Sequence, residues 1–275
     1  MTATFPTPTW LAGCGNMAGA MVEGWRAGGV DLAGITAIRP SGVQVEGIRT
    51  VTAYPSDEKP KLVMLGFKPQ KLGAVAAVLE PHVDERAILV SMLAGVNSAS
   101  LQELFPRARS IIRIMPNLPV AQIQGVIALY AEHAAQGDRD LVGKLASWLG
   151  MIRWCEDEAT FAIIGAIASS GPAYIARFVD ALAKAGEGLG LSPRLAASIA
   201  LQTVVGTGAM AAATSPSMQE IARRVASPGG TTEAGLAVLD CHSALDQLVE
   251  QTIAAAIDRG SKLAAVSVVQ RPPLA

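Results

Sequence analysis

Residues 227–236, Ser-Pro-Gly-Gly-Thr-Thr-Glu-Ala-Gly-Leu, have the composition of a tight loop that leads into a helix. The proline restricts one backbone angle, and the two glycines after it are conformationally free. Gly230 is followed by the hydroxyls of Thr231 and Thr232, just where an apolar helical pattern begins. The unpaired N–H groups and positive dipole end of a helix N-terminus suit an anion such as a carboxylate. An ordinary turn with a threonine N-cap is the alternative.

A glycine-rich segment near the N-terminus has the pattern of a dinucleotide-binding loop. Gly13, Gly15 and Ala18, with Asn16 and Met17 between them, match G-x-G-x-x-A directly after a short apolar run and at the start of a helical pattern. The first glycine would make the turn, the second would let the backbone approach a pyrophosphate, and the alanine would allow close helix packing. The chain has 27 glycines, so the position after a strand is what gives this motif its weight.

The second predicted strand, residues 35–38, ends where an NAD-binding site usually has Asp or Glu. This chain has Arg39 and Ser41 there instead. A guanidinium and a hydroxyl suit a 2′-phosphate better than a bare ribose, because Arg binds phosphate oxygens in a forked geometry. The pattern therefore predicts NADPH as the preferred cofactor, with NADH as the second choice. A solvated surface arginine is the alternative.

A third candidate group follows the continuous apolar run at residues 62–67, which predicts a strand buried on both faces. Ligands of open parallel sheets bind outside the carboxyl ends of the strands. Lys68, which comes directly after this run, is therefore placed to face a cofactor. A solvated loop lysine is the alternative.

Strands alternate with helical patterns through the first half of the chain, which predicts a Rossmann-like, doubly wound α/β sheet. The predicted strands are residues 8–12, 35–38, 62–67, 87–91, 111–115, 125–130 and 151–155. From about residue 157 onward, alanine-rich helical segments replace the strands. We therefore predict an NADP-binding domain at residues 1–155 and an all-helical domain at residues 156–275.

Composition limits the partners. The chain is 51% hydrophobic and 16% charged. Its helical half has few charges and would expose too much apolar surface in isolation, so we expect it to pack against another subunit. A net charge of −1 without a basic tract argues against nucleic acid as the main partner.

The sequence also lacks the patterns of a membrane protein and of a metal site. Without a signal-peptide pattern or an uninterrupted apolar run of about 18 residues, we expect no membrane span and a cytoplasmic location. The three cysteines and three histidines are scattered, so no metal site is predicted.

Five motifs in order resemble the pyrroline-5-carboxylate reductase family over nearly the whole chain. The last of them is very similar to the family pattern S-P-G-G-T-T-x-A-G-L-x-x-L. The five are Gly13-x-Gly15-Asn16-Met17-Ala18, Phe67-Lys68-Pro69-Gln70, Ile111-x-Arg113-x-Met115-Pro116-Asn117-x-Pro119, Ser170-Gly171-Pro172-Ala173-Tyr174 and residues 227–239.

The resemblance implies reduction of the cyclic imine 1-pyrroline-5-carboxylate to L-proline by NAD(P)H, the last step of proline biosynthesis. It also implies that the all-helical domain at residues 156–275 binds the substrate and pairs two chains into a homodimer, and the homodimers of this family often assemble into decamers. The cofactor contacts it implies are Gly13, Gly15, Asn16, Met17, Ala18, Arg39, Ser41, Phe67, Lys68, Pro69, Leu93, Ala94 and Gly95. The substrate contacts it implies are Glu158, Ser170, Gly230, Thr231 and Thr232.

The chemistry of such a substrate agrees with the residues. Its carboxylate needs N–H and hydroxyl donors, which a Gly-Gly-Thr-Thr loop at a helix start offers. The nicotinamide supplies the hydride, so the protein's task is to place the imine carbon against it. Thr232 is the candidate to hydrogen-bond or protonate the ring nitrogen, with water as the other proton source. A reductase of another imine or of a 2-hydroxy acid, and a non-catalytic NADP-binding scaffold, are the competing functions.

Overall fold

The computed structural model describes residues 4–214 and 217–269. Their contacts divide them into two compact units. The first runs to Ser170 and includes the C-terminal segment from Ala256, and the second is Gly171–Ala255. The domain boundary predicted after residue 155 lies at the end of the sheet, and this functional division stays a prediction.

Among the described residues, eight strands form one sheet in the order β3-β2-β1-β4-β5-β6-β7-β8. Neighbouring strands are parallel, except that β6 and β7 are antiparallel. The strands are β1 (Thr9–Ala12), β2 (Ile35–Ile38), β3 (Arg49–Val51), β4 (Leu62–Leu65), β5 (Ile88–Ser91), β6 (Ser110–Met115), β7 (Gly125–Tyr130) and β8 (Gly150–Trp154).

Helices connect the strands and make up most of the rest of the described chain. They are α1 (Asn16–Ala27), α2 (Leu72–Leu79), α3 (Ser98–Leu104), α4 (Gln136–Ser147), α5 (Glu158–Ala168), α6 (Gly171–Gly188), α7 (Pro193–Thr214), α8 (Met218–Val225), α9 (Thr231–Asp240) and α10 (Ala244–Val269). The predicted α/β sheet followed by a helical region is confirmed.

Each face of the sheet is covered by its own helices. Leu11 and Met64 point to the face that packs against α1 and α4, whereas their neighbours Trp10 and Val63 point to the face that packs against α2 and α3. All four side chains are buried. Strands buried on both sides give the continuous apolar runs seen in the sequence, and the seven predicted strands all occur.

Two elements of the first unit were not predicted. Strand β3 has only three residues, is partly exposed and lies at the edge of the sheet, so it shows no apolar run. Helix α3 has seven residues and is too short to show a clear helical period. Both are fixed by their neighbours rather than by a local pattern.

The second unit is built on the contact between α6 and α7. Its buried centre is made of small side chains, Ala183, Ala196 and Ala200, which allow the two helices to approach closely. Large apolar side chains such as Phe178 and Ile199 are exposed in the single chain. The isolated unit therefore presents apolar helix faces to its surroundings.

Among the described residues, two helical stretches, Glu158–Gly188 and Pro193–Ala213, are long and apolar enough to cross a membrane. No such segment was predicted from the sequence, because only uninterrupted apolar runs were considered. These two helices contain polar residues, but their mean hydropathy is still high enough for a membrane span. An apolar interface between subunits has the same composition, so this criterion alone does not distinguish the two environments.

The glycine at position 24 of α1 is required by packing. A Cβ placed at Gly24 would overlap the carbonyl oxygen of Val120, whereas a Cβ at Gly19 of the same helix would meet none of the described atoms within 4 Å. We expect Gly24→Ala to lower the free energy of unfolding by roughly 3 kcal/mol through overpacking. The matched change Gly19→Ala should raise it by about 0.5–1 kcal/mol through helix propensity. Urea denaturation measures both, and a stable Gly24→Ala variant would contradict this packing.

Candidate active site

The parallel register aligns the ends of four strands. Ala12 pairs with Ile38 on one side and Leu65 on the other, and Leu65 pairs with Ser91. Ile38, Ala12, Leu65 and Ser91 are the last residues of β2, β1, β4 and β5. The loops that follow them therefore all begin along one edge of the sheet, the one formed by the carboxyl ends of the parallel strands. Those loops carry the residues that the sequence predicts as cofactor contacts, and the structure brings them to the same edge.

The loop after β1 has the geometry that a pyrophosphate requires. Gly13 has a positive φ of 80°, and a Cβ there would lie 3.0 Å from the Cβ of Phe67. Gly15 is exposed, and a Cβ on it would meet none of the described atoms within 4 Å. It is also the N-cap of α1, and no described side chain caps this helix. The N–H groups of its first turn are therefore open to an anion, and the loop fits a dinucleotide phosphate.

Arg39 and Ser41 lie together in the turn after β2. The Nη1 of Arg39 donates a hydrogen bond of 2.8 Å to the carbonyl of Val43, and the Val43 N–H lies 3.4 Å from the Oγ of Ser41. Burial raises the pKa of the Cys14 thiol, and the positive charge of Arg39 opposes that rise. The turn after β2 therefore carries both of the side chains that the sequence predicts as contacts to a 2′-phosphate.

The remaining predicted cofactor contacts lie after β4 and β5. Phe67 is half-buried against the glycine turn, and Lys68 is exposed at the start of the Pro69–Lys71 turn that precedes α2. After β5, Leu93 is buried, Ala94 is exposed and Gly95 has a positive φ of 74°. The loop after β5 is thus anchored by an apolar side chain and presents its tip to solvent.

Glu158 is the first residue of α5 and contacts the sheet. Its Oε1 accepts hydrogen bonds of 2.9 Å from Nη1 of Arg113 in β6 and of 2.9 Å from the backbone N–H of Ser98. Arg113 was not assigned a role from the sequence. The available signal was a charged residue inside the otherwise apolar run of residues 111–115, since a buried charge needs a partner.

Asn117 holds the other end of α5. Its Nδ2 donates to the carbonyl of Ala168 at 3.0 Å, and its Oδ1 accepts from the N–H of Val126 at 2.8 Å. Next to it, the hydroxyl of Ser169 donates to the carbonyl of Pro116 at 3.1 Å. The segment that follows β6 therefore fixes the backbone immediately before Ser170.

The structure does not bring Glu158 and Ser170 together within one chain. They flank the two ends of α5, and a rise of about 1.5 Å per residue separates them by roughly 18 Å. That is far longer than a five-membered ring with one carboxylate. A single small substrate cannot contact both residues of the same chain.

In the second unit, Gly230 is the N-cap of α9, and no described side chain caps this helix. The interpretation of the loop as an ordinary threonine-capped turn is therefore wrong, because Thr231 is already the first helical residue. Gly229 has a φ of 71°, and its N–H donates to Oε2 of Glu233 at 2.7 Å. Glu233, which the sequence did not single out, fixes the loop while the first-turn N–H groups stay available to an anion.

The chain resembles known proteins over most of its length. Residues 158–263 match the family model described as pyrroline-5-carboxylate reductase dimerisation. A pyrroline-5-carboxylate reductase of Pseudomonas aeruginosa is 37% identical over 262 residues, which cover 92% of this chain and 95% of the relative.

Two solved structures share the fold. A pyrroline-5-carboxylate reductase from Coxiella burnetii has a TM-score of 0.83 and 28% identity, and the match covers 94% of this chain and 98% of the other. The Plasmodium falciparum pyrroline carboxylate reductase, solved with NADP bound, has the same TM-score of 0.83 and the same coverage at 24% identity.

Removing the Asn117 side chain should loosen the C-terminal end of α5. Asn117→Ala leaves the Val126 N–H and the Ala168 carbonyl without their partner, and Asn117 itself is 6% exposed. We expect the free energy of unfolding to fall by roughly 2–3 kcal/mol. Gln122→Ala, in the exposed part of the same loop, is the control and should change it by less than about 0.5 kcal/mol. Equal effects of the two changes would refute this role of Asn117.

Proposed function

The chain belongs to the pyrroline-5-carboxylate reductase family, and from this premise we propose how its residues carry out the reaction. The protein is an NAD(P)H-dependent oxidoreductase that reduces 1-pyrroline-5-carboxylate to L-proline in proline biosynthesis. The observation that supports the residue assignments best is the common edge at which the loops after β1, β2, β4 and β5 begin.

NADPH, which supplies the hydride when bound, is the cofactor that these loops suit best. Gly13, Gly15 and the start of α1 would hold the pyrophosphate, with Asn16, Met17 and Ala18 forming the first turn. Arg39 and Ser41 would bind the 2′-phosphate, which gives NADPH its advantage over NADH. The loops at Phe67-Lys68-Pro69 and Leu93-Ala94-Gly95 would line the path toward the nicotinamide.

The substrate carboxylate would be held at the start of α9. Thr231 and Thr232 offer first-turn backbone N–H groups where no described side chain caps the helix, and this end of the helix dipole favours an anion. Gly230 would shape the turn beside the carboxylate, because its own N–H donates to the carbonyl of Ser227 at 2.9 Å. Thr232 would hydrogen-bond the ring nitrogen, with the proton coming from its hydroxyl or from water. Ser170 would supply a further polar contact, because Asn117 and Pro116 fix the backbone beside it.

The family model that matches the helical region is one of dimerisation, so the chain forms an oligomer. We assign the interface to the exposed apolar faces of α6 and α7, which carry Phe178 and Ile199. A second copy of the chain would bury these faces, so that they would no longer be exposed apolar surface that could enter a membrane. A homodimer that assembles further into a decamer, located in the cytoplasm, is the arrangement we propose.

The role of Thr232 can be tested by following NADPH absorbance with DL-1-pyrroline-5-carboxylate as substrate. Wild-type protein should consume NADPH and form L-proline. Thr232→Ala should lower kcat/KM by roughly 100-fold or more if the hydroxyl acts on the ring nitrogen. Thr232→Ser keeps the hydroxyl and should retain most of the activity.

Near wild-type turnover by Thr232→Ala would rule out this role for the hydroxyl. If folded wild-type protein binds NADPH but does not consume it, the reaction itself is refuted. A different imine substrate or a non-catalytic scaffold would then replace it.

Arg39 should determine the cofactor preference. Arg39→Asp replaces the partner of the 2′-phosphate with a group that repels it, so KM for NADPH should rise by about 10-fold or more and KM for NADH should change far less. Arg86→Asp makes the same change in charge at an exposed residue just before β5, at the opposite edge of the sheet, and should leave both values unchanged. An equal rise for both cofactors in Arg39→Asp would contradict the assignment.

A further inference from the structure

A single carboxylate oxygen of Glu158 links three elements of the first unit. Its Oε1 accepts from Arg113 in β6 and from the N–H of Ser98, the first residue of α3. Glu158 itself begins α5. The N-terminus of α3, strand β6 and the N-terminus of α5 are therefore held together by contacts to one atom.

The contact with Ser98 fixes the end of a loop. Two first-turn N–H groups of α3 have side-chain acceptors, since Ser98 donates to Glu158 and Ser100 donates at 2.8 Å to the side chain of its N-cap, Asn97. A carboxylate at this position also complements the positive end of the helix dipole. The residues immediately before are 92–97, the loop after β5 that contains Leu93, Ala94 and Gly95.

Leu93 and Val96 anchor the same loop by burial, at 2% and 1% exposure, and the N–H of Leu93 lies 3.3 Å from the Oγ of Ser91. Ala94 is exposed between these anchors. The loop is thus held by Ser91 at its beginning and by Glu158 just past its end, and only its tip is presented to solvent.

Arg113 keeps the Glu158 carboxylate in place. The Arg113 side chain is 8% exposed and its guanidinium lies 4.5 Å from the centroid of the Phe161 ring, whereas the Glu158 side chain is 36% exposed. The buried Arg113 guanidinium therefore has a fixed position, and its ion pair holds the more exposed carboxylate of Glu158. The Nε of Arg113 and the Oγ of Ser98 are buried without a hydrogen-bond partner among the described residues. Such a cluster costs stability compared with apolar packing, which is a sign of a positioning role.

We propose that Glu158 is a positioning residue that fixes the loop at residues 92–97 for the cofactor, and that it does not contact the substrate. The proposal rests on the assignment of this loop to the cofactor under the proposed function. It replaces the prediction that groups Glu158 with Ser170 in one substrate pocket, since α5 holds these residues at its opposite ends. Glu158 acts on cofactor binding through the Ser98 N–H.

The backbone of α3 allows the Ser98 N–H to be removed by itself. Ser98 is the first helical residue, a position at which proline is well tolerated, and Asn97 has φ −83° and ψ 168°, the extended conformation that a residue before proline prefers. Ser98→Pro therefore deletes the donor and leaves the Arg113–Glu158 ion pair intact. Ser98→Ala keeps the N–H and loses only a hydroxyl that has no partner among the described residues, so it is the matched control.

Binding of NADPH to the full-length variants should be measured by nicotinamide fluorescence, with hydrogen exchange of residues 92–97 in the cofactor-free protein. We expect Ser98→Pro to raise the Kd and KM for NADPH by about tenfold, the order expected when one loop residue loses its fixed backbone. Exchange of the loop amides should be faster, while KM for the imine should stay within about twofold of that of Ser98→Ala. Equal NADPH affinity of Ser98→Pro and Ser98→Ala would overturn the proposal.

Should Ser98→Pro fail to fold, Glu158→Gln decides the question. Glutamine keeps the shape of the side chain but loses the charge that pairs with Arg113, so the proposal expects a higher Kd for NADPH and an unchanged KM for the imine. A higher KM for the imine with an unchanged Kd for NADPH would show a substrate contact and overturn the proposal. Asp157→Asn, which changes the neighbouring carboxylate that caps α5 through the Thr160 N–H, should alter neither constant.

The measurements of NADPH binding and of hydrogen exchange do not depend on the proposed reaction. Binding of NADPH and exchange of the loop amides require no imine substrate. A wild-type protein that binds NADPH without reducing 1-pyrroline-5-carboxylate would refute the proposed function, and the comparison of Ser98→Pro with Ser98→Ala would still decide the role of Glu158.

Discussion

The candidate cofactor site depends on the register of the parallel strands, in which the last residues of neighbouring strands pair with each other. Ala12, Leu65 and Ser91 lie side by side at the ends of their strands, so the loops after them start from one line. Parallel strands need crossover connections, and these are the helices on both faces that bury the sheet. The same packing that forms the core therefore leaves one end of the strands to carry loops, a glycine turn and a helix N-terminus that no described side chain caps.

Strand β6 extends this arrangement to the helical part of the first unit. Arg113 within the strand and Asn117 just after it make polar contacts to the two ends of α5. Apolar packing between α5 and β7, with Phe161 against Tyr130, gives affinity but no fixed register along the helix. Hydrogen bonds at both ends supply that register, because their geometry tolerates little displacement. The positions of Glu158 and Ser170 then follow from the strand.

The helical region balances two demands. Small residues let α6 and α7 pack closely around Ala183, Ala196 and Ala200, but they leave little volume to build a second apolar layer within the chain. Larger side chains such as Phe178 and Ile199 remain on the outside. Their surface needs another apolar surface to cover it, which agrees with the match of this region to a dimerisation model.

The sequence alone determined the elements that follow from local patterns. Seven strands, the glycine turn at Gly13 and Gly15, and the start of a helix after Gly230 were predictable because apolar period, glycine and proline act within a few residues. The tertiary structure decided what depends on contacts between distant segments. Strand β3 forms because its backbone pairs with β2. A glycine is required at position 24 because the backbone of Val120 packs directly against α1 there. Glu158 reads as one more carboxylate at a helix start, and only folding brings it against Arg113 and the Ser98 N–H, 45 and 60 residues away. Such pairings leave no periodic signal, since their partners are chosen by the fold and not by the neighbouring chain.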